Sequence, residues 1–281
     1  MSNRQTNLPR WGPRAALLVH LLTASGAGLA FVALLAAIDG NFAGMFAWLG
    51  VALFVDAIDG TLARAAKVGE RAAQIDGALL DLVVDFTTYV VVPMVALWRS
   101  NLLAPAAALV TCLIVTIASG LYFADRRMKT RDFWFRGFPA AWNVAALYLF
   151  VFRLPPWINV AILLAATALM FTPIAFVHPL RVQRLKTLTI AFTMVWLVSA
   201  ALAIAGGFDG GPIARGGLIV AACYFLALPF ARRSPFVEDS DIATGRGSAS
   251  RVRRRDPVIG QENFQDGNWR GVLDDDGHSN P

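Results

Sequence analysis

Residues 55–93 read VDAIDGTLARAAKVGERAAQIDGALLDLVVDFTTYVVVP, and four carboxylates in this stretch, Asp56, Asp59, Asp81 and Asp85, stand in or against apolar segments. A carboxylate in hydrocarbon is costly and marks function. Along an α-helix, residues three, four or seven apart share a face. Asp56, Asp59 and Ala63 therefore fall on one stripe, and Gly77, Asp81 and Asp85 on another. The two segments are consecutive, so as antiparallel helices they can turn these stripes towards each other. Four unneutralised carboxylates so placed would repel one another and take up protons. One or two divalent cations would remove the conflict. All-oxygen donors suit hard ions such as Mg2+ or Mn2+, and the absence of His and Cys from the stretch argues against zinc. Two such ions suit the grip on a pyrophosphate during in-line displacement at phosphorus.

The residues between the carboxylates fit the same chemistry. Gly60, Ala63 and Gly77 offer small surfaces where a flat base or a phosphate can approach the backbone. Arg64 can present a planar cation to a phosphate oxygen. Each has a plainer reading alone: Gly and Ala serve close helix packing in membranes, and Arg64 is an ordinary anchor at the membrane surface. Acidic residues in membrane spans also serve as proton or cation relays in transporters. The ordered set is much harder to obtain by chance.

Outward from this stretch the chain is a membrane protein. Of its 281 residues 57% are hydrophobic, too many for an ordinary soluble domain. Apolar segments recur at about 15–38, 42–58, 78–98, 102–124, 139–152, 157–176, 187–205 and 216–231. Most approach the roughly 20 residues that a membrane helix needs. The expected fold is an all-α membrane protein of about eight transmembrane helices, with a metal site between the second and third at the cytosolic side. With both termini cytosolic, 22 of the 25 basic residues fall inside, and only Arg99, Arg153 and Arg215 outside. That asymmetry supports both the orientation and the span count. The first apolar segment runs on through Ile38, further than a cleaved signal sequence would. Residues 1–231 thus form the membrane domain. Residues 232–281 mix eight basic with nine acidic residues and little apolar periodicity, the composition of a disordered cytosolic tail. The basic balance reflects topology and attraction to anionic lipid, so nucleic acid is not an expected partner. Cys112 and Cys223 both lie in apolar segments and suggest no disulfide framework.

Asp56-x2-Asp59-Gly60-x2-Ala63-Arg64 followed by Gly77-x3-Asp81-x3-Asp85 resembles the signature of the CDP-alcohol phosphotransferase family at every defined position. Twelve residues separate Arg64 from Gly77, a longer gap than most of the family has. It resembles that of the bacterial subgroup that forms phosphatidylcholine. Lys129-Thr130, the run Phe135–Asn143, and Phe176-Val177-His178-Pro179 with the basic residues Arg181–Lys186 are similar to the same subgroup. The resemblance covers roughly residues 14–231. It implies an enzyme of the bacterial inner membrane that transfers the phosphatidyl group of CDP-diacylglycerol to free choline, giving phosphatidylcholine and CMP. It also implies that Asp56, Asp59, Asp81 and Asp85 hold Mn2+ or Mg2+, as two ions, with Asp85 the catalytic base. Gly60, Ala63, Arg64 and Gly77 would surround the nucleotide and its phosphates. Homodimers are expected of the family, and small residues at Ser25–Gly28 permit close packing.

Choline offers a hydroxyl and a quaternary ammonium without N–H donors, and aromatic faces hold such a cation best. Phe86, Tyr89, Trp134, Trp142 and Tyr148 are the candidates, each with core or interfacial packing as its plainer role. The competing readings are a sister enzyme using glycerol phosphate, serine or an inositol phosphate, an intramembrane prenyltransferase, and an ion-coupled transporter. Phosphorylated acceptors would call for added cationic residues in the site. A transporter would move ions without releasing CMP.

Overall fold

Each of the eight apolar segments becomes one helix in the computed structural model, which describes residues 13–66, 74–125, 134–177 and 186–231. All of these belong to one unit, Met1–Arg233. The basic segments 126–133 and 178–185 (with His178), Lys67 and Arg71, and the tail 232–281 lie outside the described residues. Helix α1 covers Pro13–Ile38 and α2 Phe42–Ala66. The tight turn between them uses Gly40 at φ +76, and the Asn41 side chain caps α2 by accepting from the Gly44 N–H at 2.9 Å. Helix α3 spans Gly77–Arg99. Its N-cap is Asp76, whose carboxylate accepts from the N–H groups of Ala78 and Leu79, both at 3.0 Å. Helices α4 (Pro105–Ala124) and α6 (Pro156–Leu169) begin on proline, whose missing N–H costs nothing in a first turn. The others are α5 (Trp142–Phe152), α7 (Lys186–Ala205) and α8 (Gly211–Ala227).

Helices α1, α2, α3, α4 and α7 contain apolar segments of 19 to 23 residues, long enough to cross a bilayer; α5, α6 and α8 are shorter. Large apolar side chains such as Phe54, Ile117, Leu121 and Ile213 are exposed on the outer faces. Hydrocarbon, not water, is the solvent that tolerates such a coat. The chain is an integral membrane protein.

Two departures from a plain bundle have local causes. The sixth apolar segment is not one helix to residue 176: α6 stops at Leu169. Pro173 has no N–H and pushes Thr172 out of helical geometry. The chain then enters a three-residue strand, β2 (Ala175–Val177), antiparallel to β1 (Trp134–Arg136), with Phe135 opposite Phe176. Past β1, the Phe138 N–H donates to the Leu169 carbonyl at the end of α6 (3.2 Å) and the Gly137 N–H to the Ile174 carbonyl (2.7 Å). Gly137 takes φ +75, and a Cβ there would collide with the Met170 carbonyl, so this approach requires glycine. The architecture is all-helical apart from this ribbon.

The second departure lies within α3. Pro93 cannot donate to the Tyr89 carbonyl, and its ring would clash with it. The helix responds with one π-helical turn at Thr87–Val91, in which the Val92 N–H reaches back to the Thr87 carbonyl. The Thr87 and Thr88 hydroxyls bond the Val83 and Val84 carbonyls at 2.8 and 3.0 Å.

Helix α1 packs along α2 and along the whole length of α3. His20 meets Gly77, and a Cβ on Gly26 would lie 2.7 Å from Val84 Cγ1, so α1 and α3 run in the same direction. Gly26, one of the small residues expected to favour association between copies, is therefore used within the chain. The core beyond is closed by Phe42 and Phe46 of α2, Phe150 of α5 and Phe208, with ring centroids 4.8 to 5.7 Å apart. Polar links hold the helices in register. Trp142 Nε1 donates to Ser119 Oγ at 2.8 Å, and Asn159 Nδ2 donates to the Leu102 carbonyl at 2.8 Å. Such bonds are worth about 1 kcal/mol each in a membrane protein.

Candidate active site

Three of the four carboxylates meet. Asp56 leaves the second half of α2, Asp81 and Asp85 leave α3 one turn apart, and all three are half-buried. One oxygen from each lies within 4.8 Å of the others. At that separation two like charges repel by about 3 kcal/mol if the effective dielectric constant is near 20. A trio of carboxylate oxygens this close is therefore stable when a cation sits among them. The donor set is all oxygen and fits a hard divalent ion. These three residues could hold a metal ion.

Asp59 stands beside this trio and not within it. It is 5% exposed, with the Thr23 hydroxyl and the Gly60 N–H next to it. It shares with Asp56 and Asp81 a narrow crevice that is also lined by Thr23 and Gly26 of α1, Ala52 and Val55 of α2, and Val84 of α3. Three helices, not two, thus wall the carboxylates.

Tyr89 comes to the site by its hydroxyl, which donates to Asp56 Oδ2 at 3.4 Å. Its phenol also lies close enough to Asp85 and Asp81 to feel both charges. The widened turn at Thr87–Val91 carries it. Phe86, next to Asp85, is half-buried and packs edge-on against Phe123 at 5.6 Å. The remaining aromatic candidates are elsewhere. Trp142 is fully buried, bonded to Ser119 and packed on Phe138 at 5.1 Å. Tyr148 donates to the Leu218 carbonyl at 2.8 Å and stacks on Phe152. Trp134 supplies backbone to β1, and its side chain is not among those described.

Of the small motif residues, Gly60 and Ala63 are half-buried on α2, and Gly77 is the first residue of α3. The space a side chain on Gly77 would occupy is already taken: His20 Cε1 lies 3.0 Å from that position. Arg64 lies in the last turn of α2, its side chain outside those described. His20 and Thr23 are the site residues that the motif does not contain. Their signal was present in the sequence as polar residues three apart, and so on one face, of a mainly apolar helix.

No protein-family model matches the chain. Individual relatives do. The chain is 44% identical over 225 residues to the phosphatidylcholine synthase of Bradyrhizobium diazoefficiens, covering 79% of this chain and 83% of that protein. It is 42% identical over 210 residues to the phosphatidylcholine synthase of Pseudomonas aeruginosa, covering 75% and 88%. That of Mesorhizobium japonicum is 42% identical over 195 residues, covering 69% and 73%. A helical membrane protein with clustered carboxylates and relatives of this kind is a transferase of phospholipid synthesis. The chain belongs to the phosphatidylcholine synthase family.

Proposed function

We propose that this enzyme joins choline to the phosphatidyl group of CDP-diacylglycerol, releasing CMP, at the cytosolic side of the bacterial inner membrane with both termini in the cytosol. The observation that carries the reading is the trio Asp56, Asp81 and Asp85, with oxygens within 4.8 Å, in a chain 42–44% identical to enzymes named for making phosphatidylcholine. Asp56, Asp81 and Asp85, with Asp59 beside them, would hold one or two Mn2+ or Mg2+ ions, which when bound neutralise the pyrophosphate and stabilise charge on the leaving phosphate. Gly60, Ala63, Arg64 and Gly77 border the nucleotide. Asp85 takes the proton of the choline hydroxyl as its oxygen attacks the phosphorus that bears the diacylglycerol. A new P–O bond forms, the bond to the bridging oxygen breaks, and CMP departs with that oxygen and the bonding pair. Direct attack needs no covalent enzyme intermediate.

Tyr89 restrains Asp56 through its hydroxyl, and Phe86 and Tyr89 offer ring surface next to Asp85 for the trimethylammonium group. The test supplies purified enzyme in vesicles with CDP-diacylglycerol and Mn2+, and then choline, serine, glycerol phosphate or inositol phosphate in turn. Phosphatidylcholine and CMP are expected in equal amounts with choline. Formation of another lipid in place of phosphatidylcholine would reassign the acceptor. Ion flux without CMP release would replace the enzyme with a transporter.

A further inference from the structure

His20 is a polar side chain that the packing does not satisfy. It is 5% exposed on the face of α1 that also carries Thr23, and its Nε2 has no hydrogen-bond partner among the described residues. The large majority of buried polar groups are bonded to a neighbour. Of the unpartnered atoms among the described residues, His20 Nε2, Tyr122 OH and Asn159 Oδ1, His20 is the one whose ring lies against a motif residue, Gly77. If His20 only filled space, an apolar side chain of its size would do so without an orphaned nitrogen. If it tied α1 to a neighbouring helix, the bond would be visible, as it is for Trp142 with Ser119.

Its position selects the ligand. The imidazole edge lies against Gly77, with Cε1 3.0 Å and Nδ1 3.4 Å from where a Cβ would be. One turn on, Thr23 stands beside Asp59, and one turn further Gly26 admits Val84. His20, Thr23 and Gly26 therefore run level with Gly77, the carboxylates and Val84 in turn. His20 sits one turn before Asp81, on the side of the metal ligands away from the acyl chains under the proposed orientation. Choline has a single hydroxyl and no N–H, so it gives an imidazole little to bond. A nucleotide offers carbonyl, ribose and phosphate oxygens to a ring N–H.

We propose that His20 binds the nucleotide half of the activated lipid, so that α1 supplies a substrate contact that the α2–α3 motif lacks. This rests on the phosphatidyl-transfer reading and adds a residue to it. The experiment uses the full chain in detergent with Mn2+, as wild type, His20→Leu and His20→Gln. CMP binding is measured by calorimetry without choline, KM is measured separately for CDP-diacylglycerol and choline, and the melting temperature is recorded for each variant. For His20→Leu, CMP binding should weaken and KM for CDP-diacylglycerol rise, each by about ten-fold, the effect of one lost hydrogen bond. KM for choline should stay within about two-fold, since choline binding loses no such bond. His20→Gln, which keeps an N–H near the Nε2 position, should recover most of the loss. The proposal is overturned if His20→Leu binds CMP like the wild type. It is equally overturned if binding of both substrates and the melting temperature fall together with no recovery in His20→Gln, the signature of packing. A wild type that makes phosphatidylcholine and binds CMP while His20→Leu is unaltered removes only the His20 assignment. A wild type that binds no CMP removes the nucleotide site itself.

Discussion

Asp56 and Asp81 are the side chains whose removal should matter most, because each supplies an oxygen to a trio with no spare member. Asp56→Ala and Asp81→Ala are expected to lower CMP release by about a thousand-fold or more, the scale of losing charge stabilisation in a transition state. Retained turnover in either variant, assayed with excess Mn2+, would contradict the metal assignment. Tyr89 makes a finer test. Tyr89→Phe keeps the ring and loses the hydroxyl that faces Asp56 and Asp85, so kcat should fall by about three- to ten-fold with KM for choline unchanged. If the ring rather than the hydroxyl mattered, Tyr89→Phe would be silent and Tyr89→Leu would raise KM for choline. At this scale the sequence was legible in identity but not in use. Tyr89 is expected from its ring face, yet its hydroxyl is what reaches the carboxylates, because a helix wheel contains no π turn. Asp59 looks like its three partners in the spacing, and only the place of α1 reveals that Thr23 takes it aside.

Between α1 and α3 the contact is made by shape. A methyl group on Gly26 would stand 2.7 Å from Val84 Cγ1, closer than real contacts allow. Gly26→Ala should therefore push the two helices apart and cost about 1–3 kcal/mol, read as a lowered melting temperature and reduced turnover. Adding Val84→Ala should recover much of both; a double variant no better than the single one would show that the helices do not meet there. Helices are the scale at which hydropathy is read best, and all eight apolar segments became helices. What hydropathy could not show was where α6 stops. The ribbon that replaces its last turns joins residues about forty positions apart, Phe135 and Phe176, and a pairing of that kind leaves no periodic trace in either segment.

For the molecule as a whole, the membrane setting is legible in the charge asymmetry and in the length of the apolar segments. Orientation can be tested directly: single cysteines placed at position 4 and at position 240 should react with an impermeant reagent only from the cytosolic side of inverted vesicles. Removing residues 240–281 should leave turnover within about two-fold, since a strongly charged segment with little apolar content adds no core. A tail deletion that abolished synthesis in a chain still inserted in the membrane would give that segment a role the composition does not suggest.

The π turn at Thr87–Val91 takes up one extra residue between the two halves of α3 and carries Tyr89 on the widened side. Above it, Val92–Arg99 is indexed to the buried interior; below it, Gly77–Phe86 is indexed to the carboxylate site. Deleting the single residue Thr87 would leave the span long enough for the bilayer while removing the extra residue that the widened turn accommodates. The enzyme would then keep every motif residue in its usual order and still lose the aim of Tyr89, so the count of residues between Asp85 and Pro93 is itself part of the catalytic design.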